Sequence, residues 1–190
     1  MANQILYKTI TAPTQVAVGE CYLDGVEVSD EMEQMIYDEA DSSRSAVKMV
    51  CKMHASSYYK YENIIFPSPG LKCSSGIYAF WEKKLATVYY HYGKSNKAES
   101  DILYSNVLDS TSKQITTLPC YLVGAQVDSG TIALYDEPDD TNSATSLVTT
   151  LKMGSHKSYN GLMFSEPIKC HNGLYALTTD GQGIIYYSLG

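Results

Sequence analysis

Six short sequence words occur twice in this 190-residue chain, in the same order. The offset between the two copies stays between 97 and 100 residues. The paired words begin at Ile5 and Ile102, Cys21 and Cys120, Tyr37 and Tyr135, Lys52 and Lys152, Lys72 and Lys169, and Val88 and Ile185. Such a repeat indicates a tandem duplication of one module of about 90 residues. The sequence therefore predicts two related domains, residues 1–95 and 96–190.

The second copy shows the clearer pattern of strands and turns. Strand formers at Gln114–Ala125, Thr131–Tyr135 and Ser146–Leu151 are separated by polar segments rich in turn residues. Two further strands follow at 174–178 and 184–189, and Asp180–Gly183 between them is typical of a hairpin turn. Short strands at this spacing predict an all-β chain made of two tandem, sequence-related antiparallel β-sandwich modules.

The first copy differs from the second mainly at Ser29–Met35, which is acidic and rich in methionine, and at the hairpin Glu82–Lys84. Apolar residues within Asp30–Tyr37 have helical spacing, so one helical turn is a possible interpretation. Alignment of this segment with Thr131–Tyr135 favours a strand instead.

Charge and hydropathy exclude several classes of function. The net charge is −7 and Arg44 is the one arginine, which argues against direct nucleic-acid binding, because that binding depends on Lys and Arg. No stretch approaches the roughly 20 apolar residues that span a bilayer. Met1–Gln4 lacks the basic and apolar regions of a signal peptide, so we expect folding in a cytoplasm.

Four of the five cysteines follow the repeat, and Cys51 has no counterpart in the second copy. Disulfides Cys21–Cys73 and Cys120–Cys170 would respect its symmetry. Buried free thiols are the other interpretation, and cytoplasmic folding favours them. No pair has CxxC spacing and the four histidines form no ligand cluster, so we expect no zinc site.

The sequence contains no recognisable catalytic constellation. Acyl-transfer and phosphate-binding motifs are absent, so we expect no catalytic residue, no cofactor and no metal, and a β-sandwich hydrolase or lyase is the weakest hypothesis. One acidic cluster recurs, at Tyr37–Asp41 and at Tyr135–Asp140. Its carboxylates could bind calcium, but the glycine geometry of a calcium loop is missing, which favours a solvated turn after a strand.

Tyrosine dominates the aromatic residues, with 17 Tyr against three Phe and one Trp. Tyrosine is favoured at protein interfaces, and a sugar-stacking platform is the alternative. Segments that only one copy has are the natural place for a specific contact. The candidate protein-contact residues are Met32, Met35, Tyr58, Tyr59, Tyr61, Lys83 and Lys84.

The module as a whole resembles a known class of β-sandwich. The residues that carry the resemblance are Gly130–Asp136, Leu147–Leu151, Phe164 before a proline, Gly173–Ala176 and Ile184–Tyr187. This order is similar to that in virion proteins of tailed bacteriophages, particularly decoration (cement) and other accessory capsid proteins. The first copy departs from it at Glu33–Tyr37, where the Gly-Thr is lacking.

The resemblance implies a non-enzymatic structural protein of the virion, assembled in the host cytoplasm. Its expected partners are the major capsid protein or other virion proteins. The resemblance also implies a homo-oligomer, with a trimer as the form that suits symmetry points of a shell. A carbohydrate-binding or adhesion module of a tail or head fibre is the alternative.

Overall fold

The protein is built almost entirely from β-strands. A computed structural model describes residues 5–29, 32–55, 61–67, 69–81, 86–92, 102–109, 111–152 and 160–190. These ranges contain one short 3-10 helix, Ala46–Lys48, and no α-helix. None of the described residues forms a helix that is long and apolar enough to cross a membrane. The predicted all-β class is confirmed. The chain divides into two compact units, Met1–Ala98 (unit 1) and Glu99–Gly190 (unit 2).

The described part of unit 1 contains two antiparallel sheets. Its strands are β1 (Leu6–Ile10), β2 (Thr14–Val18), β3 (Cys21–Ser29), β4 (Met32–Tyr37), β5 (Met49–Ala55), β6 (Tyr61–Ile65), β7 (Leu71–Cys73), β8 (Gly76–Trp81) and β9 (Ala86–Tyr92). In the first sheet, β9 pairs with β1 and β3, and β6 and β7 pair with the other edge of β3. The second sheet has the order β2-β8-β4-β5. Val28 of the first sheet and Ile36 and Ile77 of the second are fully buried, as in a β-sandwich.

Unit 2 uses longer strands for the same pairing order. Its strands are β10 (Leu103–Asp109), β11 (Lys113–Thr116), β12 (Cys120–Tyr135), β13 (Leu147–Lys152), β14 (Asn160–Cys170) and β15 (Leu174–Leu189). The first half of β12 pairs with the second half of β15, and the remaining halves pair with each other. β10 and β14 flank the first of these half-ribbons, and β11 and β13 flank the second. In unit 1 the corresponding pairs, β3–β9 and β4–β8, consist of separate strands.

The hairpin turn predicted at Asp180–Gly183 is wrong, because β15 continues through these residues. The register of the β12–β15 pair shifts at this point, as in a β-bulge. Gly181 permits close approach of the two backbones, since a Cβ there would lie 2.7 Å from the carbonyl oxygen of Thr131. Asp180 (φ 52°) and Gly130 (φ 64°) provide the left-handed backbone of the irregularity.

Other strand predictions agree with the structure. The strand interpretation of Asp30–Tyr37 is confirmed for its described residues, Met32–Tyr37 (β4), and the strand predicted at Ser146–Leu151 is β13. Thr131–Tyr135 is a strand as predicted, but it is the last part of β12 rather than a separate element.

Four cysteines form two cross-strand pairs. Cys21 lies opposite Cys73 in β3 and β7, and Cys120 lies opposite Cys170 in β12 and β14. All five cysteines of the chain are free and buried. A hydrogen bond to Cys21, together with burial, raises the pKa of the Cys73 thiol well above its usual range. A hydrogen bond to Cys120 and burial likewise raise the pKa of Cys170. Both thiols are therefore poor nucleophiles in the folded protein.

We expect thiol reagents to distinguish the folded chain from the unfolded one. In denaturant, a disulfide-exchange reagent should titrate all five thiols at once. In native buffer, labelling should be about 100-fold slower or more, because it requires local opening of the sheets. A count of three thiols or one in denaturant would show that one or both cross-strand pairs are oxidised. Fast native labelling would contradict the buried placement.

Candidate functional site

Of the seven predicted contact residues, Met32, Met35 and Tyr61 lie within the described part of the chain. Tyr58, Tyr59, Lys83 and Lys84 lie outside the described residues. Met32 and Met35 belong to β4 and Tyr61 to β6, which are strands of different sheets. The Met35 side chain is half-buried, and its sulfur accepts a hydrogen bond from the Tyr37 hydroxyl at 3.3 Å. This contact within β4 gives the Met35 side chain a structural role.

The aspartate of the repeated acidic motif holds a turn in each unit. The carboxylate of Asp38 accepts hydrogen bonds from the backbone N–H groups of residues 74–76 at 2.6–3.2 Å. The carboxylate of Asp136 accepts them from His171 and Asn172 at 3.0 and 2.7 Å. In both units this aspartate therefore fixes the turn that leads into the strand β8 or β15.

The glutamate of the same motif is buried, which corrects the predicted solvated turn. Glu39 and Glu137 are 2% and 7% exposed. Glu39 accepts hydrogen bonds from the backbone N–H groups of Arg44 and the next residue at 2.6 and 2.8 Å. Glu137 accepts them from Asn142 and the next residue at 2.6 and 2.7 Å. Arg44 and Asn142 both have φ of 53°, so the two loops share an unusual backbone.

A glutamine that the motif analysis missed completes this arrangement in each unit. The amide Nε2 of Gln15 lies 2.5–3.0 Å from the backbone carbonyl oxygens of residues 17, 39 and 77. The amide of Gln114 lies 2.6–3.4 Å from those of residues 116, 137 and 174. The two glutamines are 99 residues apart, so the repeat offset itself could have indicated them.

These contacts explain the acidic motif as a structural clasp. Its carboxylate oxygens accept backbone N–H bonds, the groups that carboxylates need when they are buried. Within the described ranges, no group of three or more His, Cys, Asp or Glu side chains could hold a metal ion. The geometry thus favours the structural interpretation of the motif over the calcium interpretation.

The two units differ on one sheet face, which we call the exposed face of unit 1. It is defined by Tyr7, Tyr89, Gly25 and Ile65, which lie side by side across β1, β9, β3 and β6. Side chains of directly paired residues point to the same side of a sheet. Tyr7 is 72% exposed and Ile65 is 74% exposed. Large side chains this exposed on the same sheet face, with Tyr89 between them, are typical of an interaction surface.

A cavity of about 270 Å³ lies on this face, above Gly25. Its lining includes Ile5, Ile65 and Tyr89. Gly25 has no side chain between Tyr89 and Ile65, its two cross-strand neighbours, and a Cβ there would lie 2.9 Å from the carbonyl oxygen of Ile64. The cavity is therefore lined by residues of three adjacent strands, β9, β3 and β6.

The polar edge of the cavity is acidic. The Tyr89 hydroxyl donates a hydrogen bond to the carboxylate of Glu27 at 3.3 Å. Partial burial, and next the negative charge of Glu27, raises the pKa of Tyr89, so its hydroxyl stays a donor. Glu27 is exposed, and its carboxylate can accept several further hydrogen bonds.

The second acid at the cavity is already paired. Both carboxylate oxygens of Asp24 lie 2.9–3.0 Å from Nδ1 of His91. The ring of His91 stacks on Tyr22, with centroids 5.0 Å apart. Burial raises the pKa of Asp24, and the hydrogen bond and charge of His91 oppose that rise. Asp24 therefore anchors the floor of the cavity within unit 1.

The corresponding position in unit 2 is filled. Gly124 corresponds to Gly25, and the Met163 side chain occupies the place that a Cβ on Gly124 would take. Tyr186 corresponds to Tyr89 but is fully buried. Its hydroxyl donates to the side-chain oxygen of Gln126, which stands where unit 1 has Glu27, at 2.7 Å. The exposed acid and the open space above the glycine are thus features of unit 1.

Comparison with known proteins identifies no family for the chain. No protein-family model matches it, and no curated protein shows significant sequence similarity to it. Its function must therefore be argued from the chemistry of its own surfaces.

Proposed function

We propose that this protein is a non-enzymatic structural protein of a virion that decorates and stabilises a phage head shell. Its partner is the major capsid protein or another virion protein, and the exposed face of unit 1 is the surface that contacts it. The chain assembles as a homo-oligomer, with a trimer as the form that suits the symmetry points of a shell.

The observation that carries the proposal is the difference between the two units. Both use the acidic motif and a half-buried glutamine for the same structural purpose. In unit 1 an aliphatic and tyrosine-rich sheet face lies open beside a cavity, whereas in unit 2 Met163 lies over Gly124 and Tyr186 is buried. Apolar and tyrosine side chains in such a patch are characteristic of the centre of a protein interface. The feature that unit 1 has beyond the structural motif shared by both units is therefore a surface suited to binding another protein.

Rebinding to shells stripped of the chain tests this function. We expect intact particles to contain the chain. We also expect the purified chain to bind the stripped shells. Ile65→Ser should weaken that binding about tenfold or more, as loss of a central interface side chain does. Val47→Ser is the matched control, because Val47 is 77% exposed against 74% for Ile65 but lies on the 3-10 helix. Particles that lack the chain, or stripped shells that do not bind it, would overturn the assignment.

One observation favours carbohydrate binding as the second candidate. Tyr7 is highly exposed beside Tyr89, and the Tyr89 hydroxyl donates a hydrogen bond to Glu27 on the same sheet face. Aromatic rings with an adjacent carboxylate could stack on a sugar and bind its hydroxyls. A glycan array separates the candidates: binding to a defined glycan that is lost in Tyr7→Ser would favour an adhesion module. An array without signal, together with shell binding, would favour the capsid role.

A further inference from the structure

The cavity of unit 1 combines apolar walls with one carboxylate, that of Glu27, which can accept further hydrogen bonds. Ile5, Ile65 and Tyr89 line the space, while Glu27 and Asp24 form its polar side. Among the described residues that line it, two are acidic and none is basic. A group with an aliphatic stem and a cationic end would match both parts of this lining.

The volume limits what the cavity can hold. At about 270 Å³ it is smaller than the roughly 300–1,000 Å³ of most small-molecule sites. One long side chain of a partner protein is the better match in size. The chain has a net charge of −7, which favours a partner surface of opposite sign.

The two acidic side chains at the cavity, Asp24 and Glu27, have different hydrogen-bond partners. Asp24 is already paired with His91 through both of its oxygens. Glu27 receives one hydrogen bond, from Tyr89. Glu27 and Tyr89 both line the cavity, so the carboxylate and the aromatic ring are both available to a cation there.

We infer that this cavity is a specific site for the side chain of a lysine or arginine on the partner protein. The aliphatic stem packs between Ile65 and Tyr89, and the cationic end pairs with the carboxylate of Glu27. The inference rests on the proposed function in one respect, namely that the partner is a protein. It also predicts one such site per chain, because in unit 2 Met163 lies over Gly124 and the neutral Gln126 replaces Glu27.

Titration of the intact chain with n-butylammonium chloride, followed by two-dimensional 1H–15N NMR, tests the site itself. This ion reproduces the stem and charge of a lysine side chain. We expect saturable shifts of the backbone amides of Gly25, Ile65 and Tyr89, and weaker effects from n-butanol, which has the same stem without the charge. Glu27→Gln should weaken the butylammonium affinity about fivefold, as loss of an exposed ion pair does.

Two features of the design keep the result interpretable. Glutamine stands at the corresponding position of unit 2, so the Glu27→Gln protein should fold, and unchanged amide shifts elsewhere will show that it does. Glu166→Gln is the matched control, since Glu166 is an exposed glutamate of unit 2 and its loss should leave the affinity unchanged. Shifts of equal size in the wild type and in Glu27→Gln, or no shift at the three amides, would overturn the cation site.

The inference and the proposed function fail separately. If butylammonium binds as expected but stripped shells do not bind the chain, the cation site stands and the capsid assignment falls. If shells bind the chain equally well with Glu27 and with glutamine, and butylammonium has no effect, the capsid role stands and the cation site falls.

Discussion

Glu137→Ala should lower the free energy of unfolding by about 3 kcal/mol, because it removes a buried charged acceptor from several donors at once. The Glu137 carboxylate accepts backbone N–H bonds from Asn142 and Ser143 at 2.6 and 2.7 Å, and a further bond from the Ser146 hydroxyl. Without it, the loop between β12 and β13 loses the group that holds its shape. A loss of this size is a large share of the 5–15 kcal/mol of a typical domain. Urea denaturation followed by circular dichroism measures it.

The control for this variant is Asp140→Ala in the same loop. Asp140 is exposed, so its replacement should change the free energy of unfolding by less than about 0.5 kcal/mol. Glu39→Ala in unit 1 should resemble Glu137→Ala, since Glu39 makes the same two backbone contacts. Equal stability of Glu137→Ala and Asp140→Ala would refute the structural role of the motif.

Gly183→Ala should destabilise the protein by a similar amount, about 3 kcal/mol, because β15 has no room for a methyl group there. A Cβ on Gly183 would overlap the carbonyl oxygen of Gln126 and lie 2.6 Å from the end of the Ile132 side chain. The paired backbones of β12 and β15 would have to separate. Denaturant unfolding at several protein concentrations measures the loss and excludes association as its cause.

The comparison variant is Gly190→Ala at the end of the chain. A Cβ on Gly190 would lie 3.1 Å from the Pro119 carbonyl oxygen, and Gly190 is exposed, so we expect a change below about 0.5 kcal/mol. If Gly183→Ala were as mild as Gly190→Ala, the segment would behave as the surface hairpin that its sequence suggests. The pair of variants thus decides between a turn and a continuous strand.

Sequence patterns were sufficient for the fold class because strand formers and turn residues alternate over short distances. They failed at Asp180–Gly183, where glycines that form a turn and glycines that allow two backbones to approach look alike. The group that needs the space, the carbonyl of Gln126, is more than 50 residues away along the chain. Pairing between distant strands therefore decided what local composition left ambiguous.

The candidate site was less accessible from sequence than the fold. The repeat indicated the acidic motif, but nothing local showed that Glu39 and Glu137 are buried against backbone N–H groups. The exchange of Glu27 for Gln126 is visible in the aligned copies. The functional significance of this exchange became apparent only when the structure placed Glu27 beside Tyr89 at the cavity of unit 1.

Hydroxyl-radical footprinting of the chain, free and bound to stripped shells, tests the proposed docking surface most directly. In the free chain, the exposed side chains of Tyr7, Ile65, Val47 and Leu118 should all be labelled. On the shell, we expect labelling of Tyr7 and Ile65 to fall at least about fivefold while Val47 and Leu118 stay as they were. Undiminished labelling of Tyr7 and Ile65 on the shell would contradict the assignment of the exposed face of unit 1 as the docking surface.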